Sequence, residues 1–155
     1  MDQQELRALY DKIYKYCCGR LSSRETAEDV TQETFLRWVE HPEYHGRGKN
    51  AQYLFTIARN LCIDEYRRRT TDELPEDLPD LAADGTDDPD RLLLRDVLHD
   101  LPAEDRDIVL LRYVGGLSVA EIAAVHAVSW FSMNRRIKRI LAQMRTHFVG
   151  KEGSA

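Results

Sequence analysis

Residues Leu117 to Leu141, LSVAEIAAVHAVSWFSMNRRIKRIL, constrain the fold more tightly than any other stretch of the chain. Ser118 followed three residues on by Glu121 is a capping box, which fixes a helix start by satisfying two orphan backbone donors reciprocally. Ile122, Ala123 and Val125 then supply a small apolar face. The chain turns near His126–Val128, and Ser129 is placed to cap a second helix. That second helix carries Arg135, Arg136, Lys138 and Arg139 within five residues. A basic helix behind a cap and a tight turn suits a helix-turn-helix, whose second helix enters the DNA major groove while phosphate contacts hold it in register. Nucleic acid is therefore expected ahead of small-molecule chemistry.

The formal net charge of −5 argues superficially against such a partner. Its distribution reverses the argument. Nine of the 27 acids lie between Thr70 and Asp90, a stretch with no Lys or Arg, so the remainder holds 18 acidic against 22 basic residues. Asn134 to Lys151 alone has six basic residues and no acid. Local charge, rather than the total, decides whether a surface attracts phosphate.

The acidic stretch, with three prolines, one glycine and no apolar stripe, reads as a flexible linker between two helical lobes. A solvated spacer is its simplest role; an autoinhibitory cover for a basic face is the other. Before it, Leu6, Leu9, Ile13 and Tyr14 follow helical spacing, as do Tyr10 and Cys17. Ser22 with Glu25 offers another capping box for a helix from Arg24 to about Glu40, with Val30, Thr34, Leu36 and Trp38 on its buried side. Pro42 bars continuation. A glycine-containing loop leads to a third helix from about Ala51 to Arg69, with Leu54, Ile57, Ala58, Leu61 and Cys62 facing the core. After the linker come a helical segment over Leu92–Leu98 and a helix from Pro102 to the Gly115-Gly116 pair. No alternating pattern argues for a strand, so the fold class is all-α.

At 43% apolar residues the chain can bury a core. It has no apolar run of the ~20 residues that span a bilayer and no signal-peptide segment, which predicts a cytoplasmic protein. Cys17, Cys18 and Cys62 form no CxxC and read as buried thiols, with a Cys17/Cys18 redox pair as the alternative. His41 and His45 flank Glu43, but Pro42 breaks the helix that would align them and no third ligand follows, so no metal or other cofactor is expected. No phosphate-cradling or nucleophile-elbow motif is present, and the chain is not expected to be an enzyme.

Three segments, taken together, resemble one family. TAEDVTQETFLRW (Thr26–Trp38), QYLFTIARNLCIDEYRRR (Gln52–Arg69) and LPAEDRDIVLLRYVGGLSVAEIA (Leu101–Ala123), followed by the basic helix, are similar in order and spacing to the extracytoplasmic-function (group 4) sigma factors of the sigma-70 family. These are the dissociable promoter-reading subunits of bacterial RNA polymerase. The resemblance implies a sigma-2-like bundle over residues 1–69, the acidic linker over 70–90, a sigma-4-like helix-turn-helix over 91–150 and a tail over 151–155. It further implies core polymerase, promoter DNA and an anti-sigma factor as partners. A helix-turn-helix regulator that is not a polymerase subunit is the alternative.

By that resemblance Asp29, Gln32 and Glu33 would dock on the polymerase clamp; Asp29 and Glu33, four apart, share one helix face. Arg47, Lys49 and Asn50 in the loop, with Thr56, Arg59, Asn60, Asp64, Arg67 and Arg68 on the third helix, would read and hold the melted −10 element. For Arg67-Arg68-Arg69 a favourable helix C-terminus is an equally good reading. Ser129, Phe131, Ser132, Asn134, Arg135, Arg136, Lys138 and Arg139 would contact the −35 element. Phe131 suits either a thymine methyl or a neighbouring protein surface, whereas Trp130 is expected to pack on the core beside Met133, Ile137, Ile140, Leu141 and Met144. Ala127 stands where the family has its turn glycine, and a left-handed alanine costs about 1 kcal/mol.

Overall fold

The computed structural model describes residues 2–69 and 96–153, with side chains described for 2–68 and 96–146. The expected linker lies outside the described residues, as does the start of the segment read at Leu92–Leu98. Among the described residues every regular element is helical.

Helix α1 (Gln3–Arg20) opens on a capping box: the Glu5 amide donates to Asp2 Oδ1 at 2.8 Å and the Asp2 amide to Glu5 Oε2 at 3.3 Å. Helix α2 (Arg24–Glu40) is capped by Ser23, in place of the expected Ser22 box, because Ser23 is the residue with extended backbone and accepts from the Thr26 amide at 3.3 Å. A single 3-10 turn at Pro42–Tyr44 follows, and α3 runs over Asn50–Arg69. The three helices bury Ile13, Cys17, Ala27, Val30, Trp38, Leu54, Ala58 and Cys62 between them. Thr31 and Thr34 are buried too, and each hydroxyl donates to the carbonyl four residues back, at 2.7 Å. Leu36 is exposed, contrary to expectation. The buried stripe of α2 runs Val30, Thr34, Trp38 at intervals of four, and a residue two positions off that stripe points away from it.

The second lobe comprises α4 (residues 96–100), α5 (Ala103–Val109), a π-helical turn at Leu110–Val114, α6 (Val119–Val125) and α7 (Trp130–Gly153). Arg106 anchors the end of α4 by donating to the carbonyls of Leu98, His99 and Leu101 at 2.8, 3.1 and 3.2 Å. The Ser118–Glu121 capping box is present, at 2.9 and 3.1 Å, and Ser129 Oγ accepts from the Ser132 amide at 3.1 Å. Between α6 and α7, Ala127 does take the left-handed conformation, with φ 56°. The Val128 amide then reaches back to the Ala123 carbonyl at 3.0 Å and the Ala127 amide to Ala124 at 3.1 Å, closing the end of α6 as a glycine would.

The two lobes pack against each other: α1 lies on the π-helical turn and α3 on α6. The seam is tight at Gly115, where an added Cβ would sit 2.8 Å from the Leu111 carbonyl oxygen and 2.9 Å from Phe55 Cζ. Phe55 in turn meets Tyr16 edge to face, with ring centroids 5.5 Å apart. Phe55 is fully buried although it lies off the expected core stripe of α3, because the second lobe covers that side of the helix.

Overpacking of this kind costs about 1–3 kcal/mol. Gly115→Ala is therefore expected to lower unfolding stability by that amount in urea titration, and Phe55→Leu, which removes the facing ring, should recover part of the loss in the double variant.

Candidate nucleic-acid interface

Helix α7 presents its first turn and one basic flank to solvent. Phe131 is 70% and Trp130 46% exposed, and their rings meet edge to face at 5.3 Å. Arg135 and Lys138 are exposed, while Ser132 and Asn134 are half-buried. Arg136 Nε and Arg139 Nη2 each lie 3.4 Å from Asp105 Oδ1, so two of the basic residues are partly engaged by their own lobe. Two packing expectations are corrected. Trp130 does not join the core, since the buried stripe of α7 is Met133, Ile137, Ile140 and Met144, beginning a turn later, and the indole rests on Phe131 instead. Leu141, one position beyond Ile140, falls at the edge of that stripe and is exposed.

The first lobe offers two concave surfaces. One is an aromatic groove of about 420 Å³ between the start of α1, the end of α2 and the following loop, lined by Tyr10, Phe35, Trp38, His45, Gly46 and Asn50 among others. His45 stacks on Trp38 with centroids 3.9 Å apart, and its Nε2 lies 2.7 Å from the Trp38 carbonyl oxygen. Gly46 and Gly48 take φ of 75° and 72°, and Asn50 Oδ1 ties the loop by accepting from the Gly46 amide at 3.2 Å. Arg47 and Lys49 are exposed on this loop. On α3, Asn60 and Arg67 are exposed, the Thr56 hydroxyl is spent on the Gln52 carbonyl at 2.8 Å, and Arg68 bonds Glu65 at 2.8 Å.

The other surface is an acidic groove of about 410 Å³ between α2 and α3, lined by Asp29, Glu33, Asp64 and Glu65 with Thr26, Val30, Leu61 and Arg68. Asp29 and Glu33 thus share a face, with exposed Gln32 beside them on α2. Asp64, expected with Asn60 and Arg67 on one side of α3, also lines this groove.

Arg59 sits apart from both grooves. Its Nε donates to Asp107 Oδ2 at 3.0 Å and its Nη2 to Glu104 at 3.3 Å, across the seam between the lobes. Asp107 is fully buried and also receives the Tyr16 hydroxyl and Arg20 Nη1, the latter at 2.5 Å. His126 Nε2 lies 2.7 Å from Asp107 Oδ2, off the ideal hydrogen-bonding direction, and its Nδ1 lies 3.3 Å from Glu104 Oε2. Burial alone would raise the Asp107 pKa, but the His126 contact, the Arg20 charge and the Tyr16 hydroxyl outweigh it and hold the carboxyl below its ordinary value. Burial, followed by the facing Asp107 charge, pushes the Tyr16 phenol well above its own, so it stays a donor. Sequence reasoning missed this cluster. Its only signal was an acid, Asp107, inside the apolar run that follows.

Cys17, Cys18 and Cys62 are free and buried. The Cys62 and Cys17 sulfurs lie 3.9 Å apart. The neighbouring Cys17 thiol and burial push Cys62 well above the ordinary thiol value, which keeps it unreactive. Among the described residues no three His, Cys, Asp or Glu side chains converge as a metal site, and no helix is long and apolar enough to cross a membrane.

Comparison with known proteins assigns both lobes. Residues 6–71 match the model for Sigma-70 region 2 and residues 91–144 that for Sigma-70, region 4. The ECF RNA polymerase sigma factor SigL of Mycobacterium tuberculosis is 35% identical over 90% of this chain and 86% of its own length. The chain belongs to the extracytoplasmic-function sigma factors. SigW of Bacillus subtilis is 29% identical over 83% of this chain and 79% of its own. The sigma factor RpoE of Bartonella quintana, solved in complex with the anti-sigma factor NepR, shares the fold at a TM-score of 0.74 and 22% identity, covering 94% of this chain and 95% of that one. CnrH, solved with the cytosolic domain of CnrY, aligns at a TM-score of 0.61 and 21% identity, over 95% of this chain and 84% of its own. The all-α, two-lobed architecture expected for this sigma factor is therefore the one it has.

Because the Asp107 carboxyl is depressed when the lobes are packed, its contribution is fully present above the ordinary carboxylate range and disappears as pH falls below it. Removing it as Asp107→Ala strands Arg20, leaves Arg59 with Glu104 alone and should cost about 3–5 kcal/mol. In urea titrations the difference between wild type and Asp107→Ala should hold steady from pH 7 to 5 and shrink towards pH 3.

Proposed function

We propose that this sigma factor uses its two lobes as separate promoter-reading modules on bacterial core RNA polymerase, and that it is itself non-catalytic, the chemistry belonging to the polymerase. The observation that carries this reading is the pairing, in one chain, of an acidic groove on the first lobe with a solvent-facing basic recognition helix on the second. Asp29, Gln32 and Glu33 dock on a basic polymerase surface, and Asp64 and Glu65 extend that surface. The charge complementarity of such a groove speeds encounter and fixes orientation. Residues 1–69 and 91–150 are the two modules, joined by residues 70–90.

On the second lobe, Ser129, Phe131, Ser132, Asn134, Arg135, Arg136, Lys138 and Arg139 share base-edge and phosphate contacts at the −35 duplex. Phe131, exposed on the first turn where recognition helices meet base edges, contacts a thymine methyl. On the first lobe, Arg47, Lys49, Asn50, Asn60, Arg67 and Arg68, with Thr56 and Arg59 nearby, hold the −10 strand. The aromatic groove beside Asn50 is the natural receptor for an unstacked base, whose extraction costs a few kcal/mol. Partners of relatives, NepR and the cytosolic domain of CnrY among them, make an anti-sigma factor the expected regulator. The protein acts in the cytoplasm, where polymerase is. A free-standing helix-turn-helix regulator would leave the first lobe's match to region 2 without a purpose.

Run-off transcription with purified core polymerase tests the proposal: promoter-specific initiation should depend on this protein, and duplex binding with no gain in initiation would contradict it. Asp29→Lys with Glu33→Lys should abolish co-elution with core polymerase while helix content stays unchanged. Replacing −35 thymines by deoxyuracil should weaken wild-type holoenzyme binding about fourfold per contacted methyl, on the scale of one buried CH₂, and should leave Phe131→Ser unaffected.

A further inference from the structure

A further cleft, of about 260 Å³, opens where the end of α1 and the last turns of α3 meet the start of α5. Its lining is Arg20, Ile63, Tyr66, Arg67, Ala103 and Arg106: three guanidinium groups and, among the described residues, no carboxylate. We propose that this cleft is a binding site for a single free nucleotide, with Arg20 and Arg106 on its phosphate and Tyr66 against its base. Promoter reading and polymerase docking, as assigned above, leave these three side chains without a role.

Charge is the first argument. Arg20 is matched by Asp107, but among the described residues no carboxylate pairs with Arg106. Arg106 spends Nε and Nη2 on the carbonyls of Leu98, His99 and Leu101, which leaves Nη1 uncommitted and its charge uncancelled. Burial, and then the Arg20 charge, draw the Arg106 guanidinium below its ordinary value, while Tyr66 opposes them. Two cations held close in a half-buried place repel, and an anion between them relieves the repulsion. A phosphate carries a charge of about −1.5 to −2 and three acceptor oxygens. It can therefore take Nη1 of Arg106 together with donors of Arg20, whose fork of five exceeds what Asp107 uses. The shape of the cleft is the second argument. Ile63 and Ala103 form apolar walls, and half-exposed Tyr66 adds an aromatic ring, on which a base of any identity stacks. Inorganic phosphate alone would leave those walls and that ring bare. At about 260 Å³ the cleft stands at the small end of ligand pockets, which start at roughly 300 Å³, so it suits one nucleotide and excludes a duplex.

Isothermal titration calorimetry of the full chain tests this, with ADP, inorganic pyrophosphate, adenosine and a mixed-sequence single-stranded pentamer as probes. ADP is expected to bind saturably at one site, pyrophosphate about tenfold more weakly for want of stacking, and adenosine not measurably. Tyr66→Ser should bring ADP down to the pyrophosphate value and leave pyrophosphate unchanged. Arg106→Lys, which keeps the charge and loses the fork, should weaken both by about tenfold, the scale of one charge-assisted hydrogen bond. Because Arg106 also holds the end of α4, Arg67→Gln, at an exposed position, serves as a second variant and should weaken both by about threefold. Arg7→Gln, at an exposed position elsewhere on α1, should change neither. No saturable ADP binding, an equal loss on Arg7→Gln, or adenosine binding as tightly as ADP would each overturn the proposal. So would pentamer binding tighter than ADP and lost with the same variants, which would assign the cleft to a nucleic-acid strand. The titration needs neither polymerase nor promoter, so its failure leaves the promoter-reading account standing.

Discussion

A carboxylate cut off from solvent must be surrounded by donors, and the donors to Asp107 come from the opposite lobe. Tyr16 and Arg20 arrive from α1 and Arg59 from α3, with the His126 ring at the end of α6 beside them. An ionised group so placed is tolerable only while all of them stay in position, since an unpaired buried charge costs several kcal/mol. The relative placement of the lobes follows from this requirement and from the close approach of Gly115 to Phe55. Hydrophobic burial builds each lobe and continues across the seam, where the ion pairs at Asp107 fix the match.

That division explains how a small protein carries several distinct surfaces. The three-helix bundle fixes α2 and α3 so that Asp29, Glu33, Asp64 and Glu65 face one groove and Trp38, His45 and Asn50 another. The helix-turn-helix holds α7 by Met133, Ile137, Ile140 and Met144, leaving Phe131, Arg135 and Lys138 in solvent. Rigid elements position these side chains, and the seam between the lobes joins the apolar contact of Phe55 with Gly115 to the ion pairs at Asp107.

Features governed by neighbours in sequence were legible without a structure. The Ser118–Glu121 box and the cap at Ser129 follow from a few adjacent residues, and both are present, while Ala127 keeps the left-handed turn that its replacement of the family's glycine had put in question. Readings failed where the deciding partner lay far away or where one position mattered. Ser23 took the cap expected at Ser22. Leu36 was placed on a buried stripe that it points away from, and Trp130 on one that begins a turn later. Phe55 and Asp107 were overlooked because what buries them is the other lobe, and Tyr16 stands 91 residues from Asp107. Helical periodicity locates a core face within one bundle and carries no information about a second bundle docking on the opposite side. The family resemblance was legible for a different reason: three segments kept their order and spacing across nearly the whole chain.

The most direct measurement is the distance between spin labels on the exposed outer faces of α2 and α7. It would be taken in the free protein, with core polymerase, and with polymerase on promoter DNA. The account predicts one short, narrow distribution for the free chain and a distinctly longer one once polymerase and promoter are bound. A single unchanged distance in all three states would contradict it.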